Sequence, residues 1–168
     1  MRIALISDTH SHIDERILEH CLWADEIWHA GDIGSHEVID QLEATGKTCR
    51  IVYGNIDNHS IRQRVPADQH FMAGPLRVWI THIGGYPPKY NSKTRAKLAL
   101  GTTDLFVCGH SHILKVIHDP KINCLHMNPG SCGTHGFHAV KTLLRFEITA
   151  KGVENLEVVE LGKRGGLR

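Results

Sequence analysis

Five short apolar runs punctuate this chain between Arg2 and Cys108, and each stops at a side chain that can bind a metal. Arg2 to Ile6 ends in Ser7-Asp8-Thr9-His10, and Ile27 to Ala30 ends in Gly31-Asp32-Ile33. Cys49 to Tyr53 ends in Gly54-Asn55, Leu76 to Thr81 ends at His82, and Leu105 to Cys108 ends in Gly109-His110-Ser111-His112. Short continuous apolar runs closed by Gly, Asp or Asn read as buried strands. After one strand a Gly-Asp pair is ordinarily just a turn. The same kind of ending on every strand in turn belongs to an open α/β sheet, where ligands gather at the carboxyl ends of the strands.

The segments between the runs support that reading. Asp14 to Ala24 carries Ile17, Leu18, Cys21 and Leu22 at helical spacing, and His36 to Ala44 carries Val38, Ile39 and Leu42 on one face, with Gly46 as its stop. Strand-helix-strand order predicts parallel pairing with right-handed crossovers. Asn58 to Arg64 is expected as a short helix before Pro66, and Ser92 to Leu100 as a helix capped by Ser92 and ended by Gly101. From Leu114 the pattern changes. Leu114 to His118, Asn123 to Met127, Val140 to Thr149 and Val153 to Leu161 are expected as strands joined by tight turns, an antiparallel meander forming a second sheet packed on the first. A single domain over residues 1–161 is expected, with 162–168 as a flexible tail.

A chain of 168 residues can bury one core, and its net charge of +1 supplies no field that would draw it to nucleic acid or acidic membranes. Nucleic acid therefore enters only as a candidate substrate. The five Cys form no Cys-x-x-Cys pair and lie mostly in apolar runs, as buried reduced thiols do. The opening apolar run is too short for a signal peptide or a membrane span, so the expected location is the cytoplasm, without membrane contact.

Histidine is the compositional anomaly, at 14 residues against three Trp and three Tyr. Alternate residues of an extended segment project to one side, so Asp8 and His10 can point at one ion. Mixed Asp, His and Asn donors suit Mn, Fe, Zn or Ni better than Ca, which wants oxygen alone. The donors divide into Asp8, His10 and His112 on one ion and Asn55, His82 and His110 on another. Asp32, the carboxylate in the middle of the set, bridges them. Two such ions would acidify a shared water and clamp the attacking and leaving oxygens of an in-line displacement.

Asp8-x-His10, Gly31-Asp32, Gly54-Asn55, His82 and Gly109-His110-x-His112 stand in the order and spacing that resemble the calcineurin-like metallophosphoesterases. The short length and Asn128-Pro129-Gly130-Ser131 look like their small bacterial and archaeal phosphodiesterase branch. The resemblance runs from residue 1 to about residue 160. It implies a four-layer α/β/β/α sandwich of two mixed sheets, with two divalent metals above the strand ends. Manganese is the commonly preferred ion, with Fe, Zn, Ni or Mg as alternatives. It also implies hydrolysis of a small phosphate ester, often a diester, with Asp32, Asn55 and His82 central to catalysis. Two departures stand out. Larger members carry a His directly after the motif Asn, usually taken to protonate the leaving group; here Ile56 stands there, followed by Asp57. Many small relatives carry a second His two residues after the equivalent of His82, where this chain has Gly84.

Asp57, Tyr86, His135 and His138 are the candidates for substrate contact, the two histidines because they follow the Asn128–Ser131 turn and Tyr86 because it sits in an aromatic-basic loop with Lys89 and Tyr90. Asn128 and Gly130 are expected to shape the backbone around His110. An inert scaffold on the same fold, like the retromer subunit that resembles this family, is the alternative to an enzyme, and oligomerisation is left open. A (β/α)₈ barrel, suggested by His10-Ser11-His12, would need about 250 residues and is excluded by length.

Overall fold

The first strand, β1 (Arg2–Ile6), is apolar on both sides because it is buried on both sides. Ile3 and Leu5 face a core between two sheets, while Ile6 faces helices. Beyond it come α1 (Glu15–Trp23), β2 (Glu26–His29), α2 (His36–Ala44), β3 (Thr48–Ile51) and α3 (His59–Arg64). Next are β4 (Asp68–Ala73), β5 (Leu76–Thr81), a small hairpin of β6 (Gly85–Tyr86) and β7 (Lys89–Tyr90), α4 (Ser92–Leu98) and β8 (Leu105–Val107). The chain closes with β9 (Leu114–Asp119), β10 (Cys124–Pro129), β11 (Val140–Thr149) and β12 (Gly152–Lys163). The computed structural model describes residues 1–165.

Two five-stranded sheets result, ordered β12-β11-β1-β2-β3 and β4-β5-β8-β10-β9. Each has three parallel strands, β1-β2-β3 or β5-β8-β10, and is completed by antiparallel partners. Their facing sides share one core, in which Ile3, Leu5 and Trp28 meet Val78, Ile80, Val107 and Met127. Trp28 stands edge-on to Phe71 of the opposite sheet at 5.2 Å and to Phe146 at 5.6 Å between ring centres. Aromatic burial of this kind is worth roughly 1.5–3 kcal/mol per side chain, which makes this cluster a main tie between the sheets. Ile17, Cys21, Val38, Ile39 and Leu42 of α1 and α2 cover the outside of the first sheet. Leu98 of α4 and Tyr90 of β7 cover Trp79, Phe106 and Cys124 on the outside of the second. The expected four-layer α/β/β/α sandwich of two mixed sheets is what the chain forms.

The local signals hold to within a residue or two. Asp14 caps α1 by accepting from Ile17 N–H at 3.0 Å, and Gly46 ends the α2 segment at φ 71°. Asn91 rather than Ser92 caps α4, accepting from Thr94 N–H at 2.8 Å. The C-terminal strands require a larger correction. They do not form a second sheet of their own: β9 and β10 finish the sheet of β5 and β8, whereas β11 and β12 join β1. Hairpin signals report which neighbours pair, not which sheet the pair joins. The connection from Pro129 to Val140 therefore crosses from one sheet to the other, a route that carries it past the strand ends. β4 is a strand absent from the sequence-based expectation. The expected tail also starts too early, since Gly162 and Lys163 pair with Lys141 and Val140; residues 166–168 lie outside the described residues. No helix among the described residues is long and apolar enough to cross a membrane.

Candidate metal centre

Where β1, β2, β3, β5 and β8 end, the chain must turn sharply while sending side chains upward. Among the described residues eight non-glycine residues have a left-handed φ, and Asp8, His10, Ser11, Asp32, His110 and His112 are six of them. That conformation costs roughly 1–2 kcal/mol per residue and collects where function over-determines the backbone. Close backbone approach does the rest. A Cβ on Gly54 would overlap Asp32 Oδ1, and one on Gly109 would overlap Ser7 Oγ, so neither position admits a side chain without rearrangement.

The strand ends bring two donor groups together, Asp8, His10, Asp32 and His112 in one and Asp32, His82 and His110 in the other, each with its donor atoms within 4.8 Å of one another. Asp32 belongs to both. Its Oδ2 lies 3.7 Å from His10 Nε2 and its Oδ1 lies 3.1 Å from His82 Nε2. On the first side His112 Nε2 is 3.3 Å from Asp8 Oδ1 and 3.3 Å from His10 Nε2. On the second, Asn55 Oδ1 is 3.1 Å from His82 Nε2. Asp8, His10 and His112 thus lie on one side of Asp32, and Asn55, His82 and His110 on the other.

Hydrogen bonds behind the centre set its tautomers. His82 Nδ1–H donates to Ala30 O at 2.7 Å, leaving Nε2 toward Asp32 and Asn55. His138 Nε2–H donates to Gly133 O at 3.0 Å, so its Nδ1 accepts from His112 Nδ1–H at 3.3 Å and His112 turns its Nε2 lone pair inward. Burial pushes the His82 imidazolium toward losing its proton, but the Asp32 hydrogen bond and the Asp8 charge outweigh burial and its pKa is raised. Burial likewise pushes Asp32 up, and His82, the Ile56 N–H and His10 reverse that and hold it below the usual carboxylate range. For His10 burial prevails over Asp32 and Asp8, and its pKa is lowered. Carboxylates, an amide oxygen and inward-facing imidazoles, with no Lys or Arg side chain in either donor group, fit divalent metal ions.

The remaining candidates separate. His135 packs its ring 5.1 Å from that of His10 and shares a cleft of about 290 Å³ with His10 and Ile56. Tyr86 lines a smaller recess with His110 and Ser111, its ring capped by Lys115 Nζ at 3.5 Å. Asp57 has a different task from the substrate contact expected of it. It is buried, and its oxygens accept from Ile33 N–H at 3.1 Å, Gly34 N–H at 2.7 Å and Gly54 N–H at 2.7 Å, which ties the Asp32 loop to the Asn55 loop. Asn128 acts on backbone as expected, donating to Gly109 O at 2.8 Å. Sequence reasoning missed His29, fully buried under the Asp32 loop. It accepts from Gly31 N–H at 3.1 Å and donates to Thr9 Oγ1 at 2.9 Å, and burial takes its pKa down to about 4. A histidine inside an apolar strand was the available signal.

The model of the calcineurin-like phosphoesterase superfamily domain matches residues 1–151. The chain belongs to this superfamily. A probable metallophosphoesterase of Methanothermobacter thermautotrophicus is 31% identical over 139 residues, covering 78% of this chain and 77% of that protein. Among solved structures, an archaeal phosphodiesterase superposes with a TM-score of 0.78 at 21% identity, covering 96% of this chain and all of its own (100%). Zinc-complexed Vps29 from Entamoeba histolytica does so with a TM-score of 0.73 at 18% identity, covering 95% and 99%. At such identities the likeness is one of fold. The phosphoesterase domain therefore combines a family of metal-dependent hydrolases with a donor set of its own that suits divalent cations.

Proposed function

We propose that this protein is a binuclear metal-dependent phosphodiesterase, with Asp8, His10 and His112 on one ion, Asn55, His82 and His110 on the other, and Asp32 between them. The observation that carries the reading is that the two oxygens of Asp32 face histidines of different donor groups. Manganese is the preferred ion, the substrate is a small phosphate ester, and the setting is the cytoplasm. Divalent cations at these positions would supply Lewis-acid activation of water and neutralise charge on the phosphoryl group.

The protein's own part is positional. Asp32 would offset repulsion between two such cations and Asn55 would complete the second group without adding charge, while the Ala30 and His138 contacts orient His82 and His112 toward the centre. Ile56 can donate nothing to a departing oxygen. His135, in the cleft with Ile56 and His10, is the side chain placed to contact an ester group there.

The test is metal analysis alongside turnover of bis(p-nitrophenyl) phosphate and p-nitrophenyl phosphate, with added manganese and with chelator. The expected outcome is two metals per chain and faster cleavage of the diester, lost in chelator. One metal per chain, or a chelator-insensitive rate, would refute it. Metal uptake without any turnover would favour the scaffold reading.

A further inference from the structure

Arg62, in the last turn of α3, is exposed yet makes three side-chain contacts. Its Nε donates to Asp57 O at 2.7 Å, its Nη2 donates to Asn55 O at 3.1 Å, and its guanidinium carbon lies 5.0 Å over the ring of Tyr53. Arg62 pairs with no carboxylate among the described residues, as is also true of Arg16 and Arg95, whereas Arg2, Arg50, Arg64, Arg77 and Arg145 do. Nη1 keeps both of its N–H donors. Through its two carbonyl contacts Arg62 holds the Asn55–Asp57 turn, and its remaining donors stay free beside Asn55.

It does face a cavity. About 440 Å³ of space opens beside the second donor group, lined by Tyr53, Asn55, Arg62, His82, Ile83 and Lys93, and no carboxylate lines it. Small-ligand sites commonly span about 300–1,000 Å³. Lys93 adds a second positive charge at the rim, partly offset by Asp68 at 3.7 Å. Ile83, 46% exposed, and Tyr53 supply an apolar wall. The cavity is thus continuous with the candidate metal centre through Asn55 and His82, and offers a planar cation suited to bidentate phosphate binding.

We propose that this cavity is a subsite for a second phosphate of the substrate, anchored by Arg62, so that the protein selects phosphodiesters whose neighbouring arm ends in a phosphate. A short oligonucleotide with a 5′-terminal phosphate has that chemistry: an apolar base and sugar between two phosphates. The inference rests on the phosphodiesterase reading and specifies its substrate class.

The test compares cleavage of the internal diester in dithymidine monophosphate with and without a 5′-terminal phosphate. The phosphorylated form should show a KM about tenfold or more lower, the effect of one charge-assisted contact. Arg62→Gln, which keeps a donor for the carbonyls, should collapse that preference toward one, and Arg62→Lys should restore part of it. An equal loss on both substrates would show that Arg62 acts on the reacting phosphate or the fold, and would overturn the proposal. A second readout needs no turnover. In the metal-free protein the Arg62 Nε–H NMR signal, assigned by its loss from Arg62→Gln, should move saturably with thymidine 5′-monophosphate and not with thymidine. An unmoved signal rejects the subsite. If neither dinucleotide is cleaved with any metal while bis(p-nitrophenyl) phosphate is, the proposed substrate class is overturned; if no diester is cleaved, the phosphodiesterase reading fails, and the titration still decides whether Arg62 binds phosphate.

Discussion

Asp32 offers one oxygen to each donor group, and no neutral side chain can do the same with charge. Asp32→Asn should therefore lower metal content from two ions toward one or none and reduce turnover by several orders of magnitude, whereas His112→Ala should weaken mainly one site. Metal analysis of the purified variants checks this, and an Asp32→Asn protein with two tight metals and near-native turnover would contradict the bridge. Ile56 sets a second expectation at this scale. General acid catalysis is worth about 10²–10⁴-fold, and its absence falls hardest on poor leaving groups. Aryl diesters should be cleaved much faster than alkyl diesters, with a steep dependence on leaving-group pKa. A shallow dependence that His135→Ala makes steep would instead assign the donor to His135, which shares the cleft with Ile56.

The elements that hold the centre are loops, and loops need ties. Asp57 accepts three backbone N–H bonds from two of them while almost wholly buried. Asp57→Asn would turn an N–H group toward at least one of those donors. Leaving a buried donor unsatisfied costs about 1–3 kcal/mol. Urea unfolding should show a loss of that order, with weaker metal binding because the Asp32 and Asn55 loops would no longer be pinned together. Unchanged stability and metal affinity would mean that the loops are held by the strands alone. The left-handed backbone at Asp8, Asp32 and His110 points the same way, since such strain persists only when its surroundings enforce it.

Across the whole molecule the least expected feature lies on the far side of the second sheet. His126 on β10 is fully buried against Phe106 and near Tyr90, with no partner for either ring nitrogen among the described residues. Burial, aided by the Lys115 charge, takes its pKa down to about 4 from the ordinary 6.5. The unfolded chain then binds the extra proton first, so this residue should weaken the fold as pH falls from about 6.5 toward 4, and no further below that. The full effect is about 3 kcal/mol at most. His126→Leu should flatten that part of the stability–pH curve and raise stability near neutrality, as urea midpoints across the range would show. A curve unaltered by the substitution would place the proton elsewhere.

What the sequence determined by itself was local. An apolar run, its abrupt end at Asp, Asn or His, and the helical period that follows are all written within about a dozen consecutive residues, so strand ends and helices could be read directly and candidate donors named. Tertiary structure decided what depends on distant partners. Pairing signals for β9–β12 are satisfied equally well in either sheet, and only packing against β8 and β1 assigns them. Asp57 reads as one more carboxylate beside the motif until Ile33, Gly34 and Gly54 turn their amides onto it. Arg62 reads as a helix-surface charge until Tyr53 and two carbonyls fix it at the mouth of a cavity. A side chain's type is set by the gene, but its partners are set by burial and by which strand ends the fold gathers together.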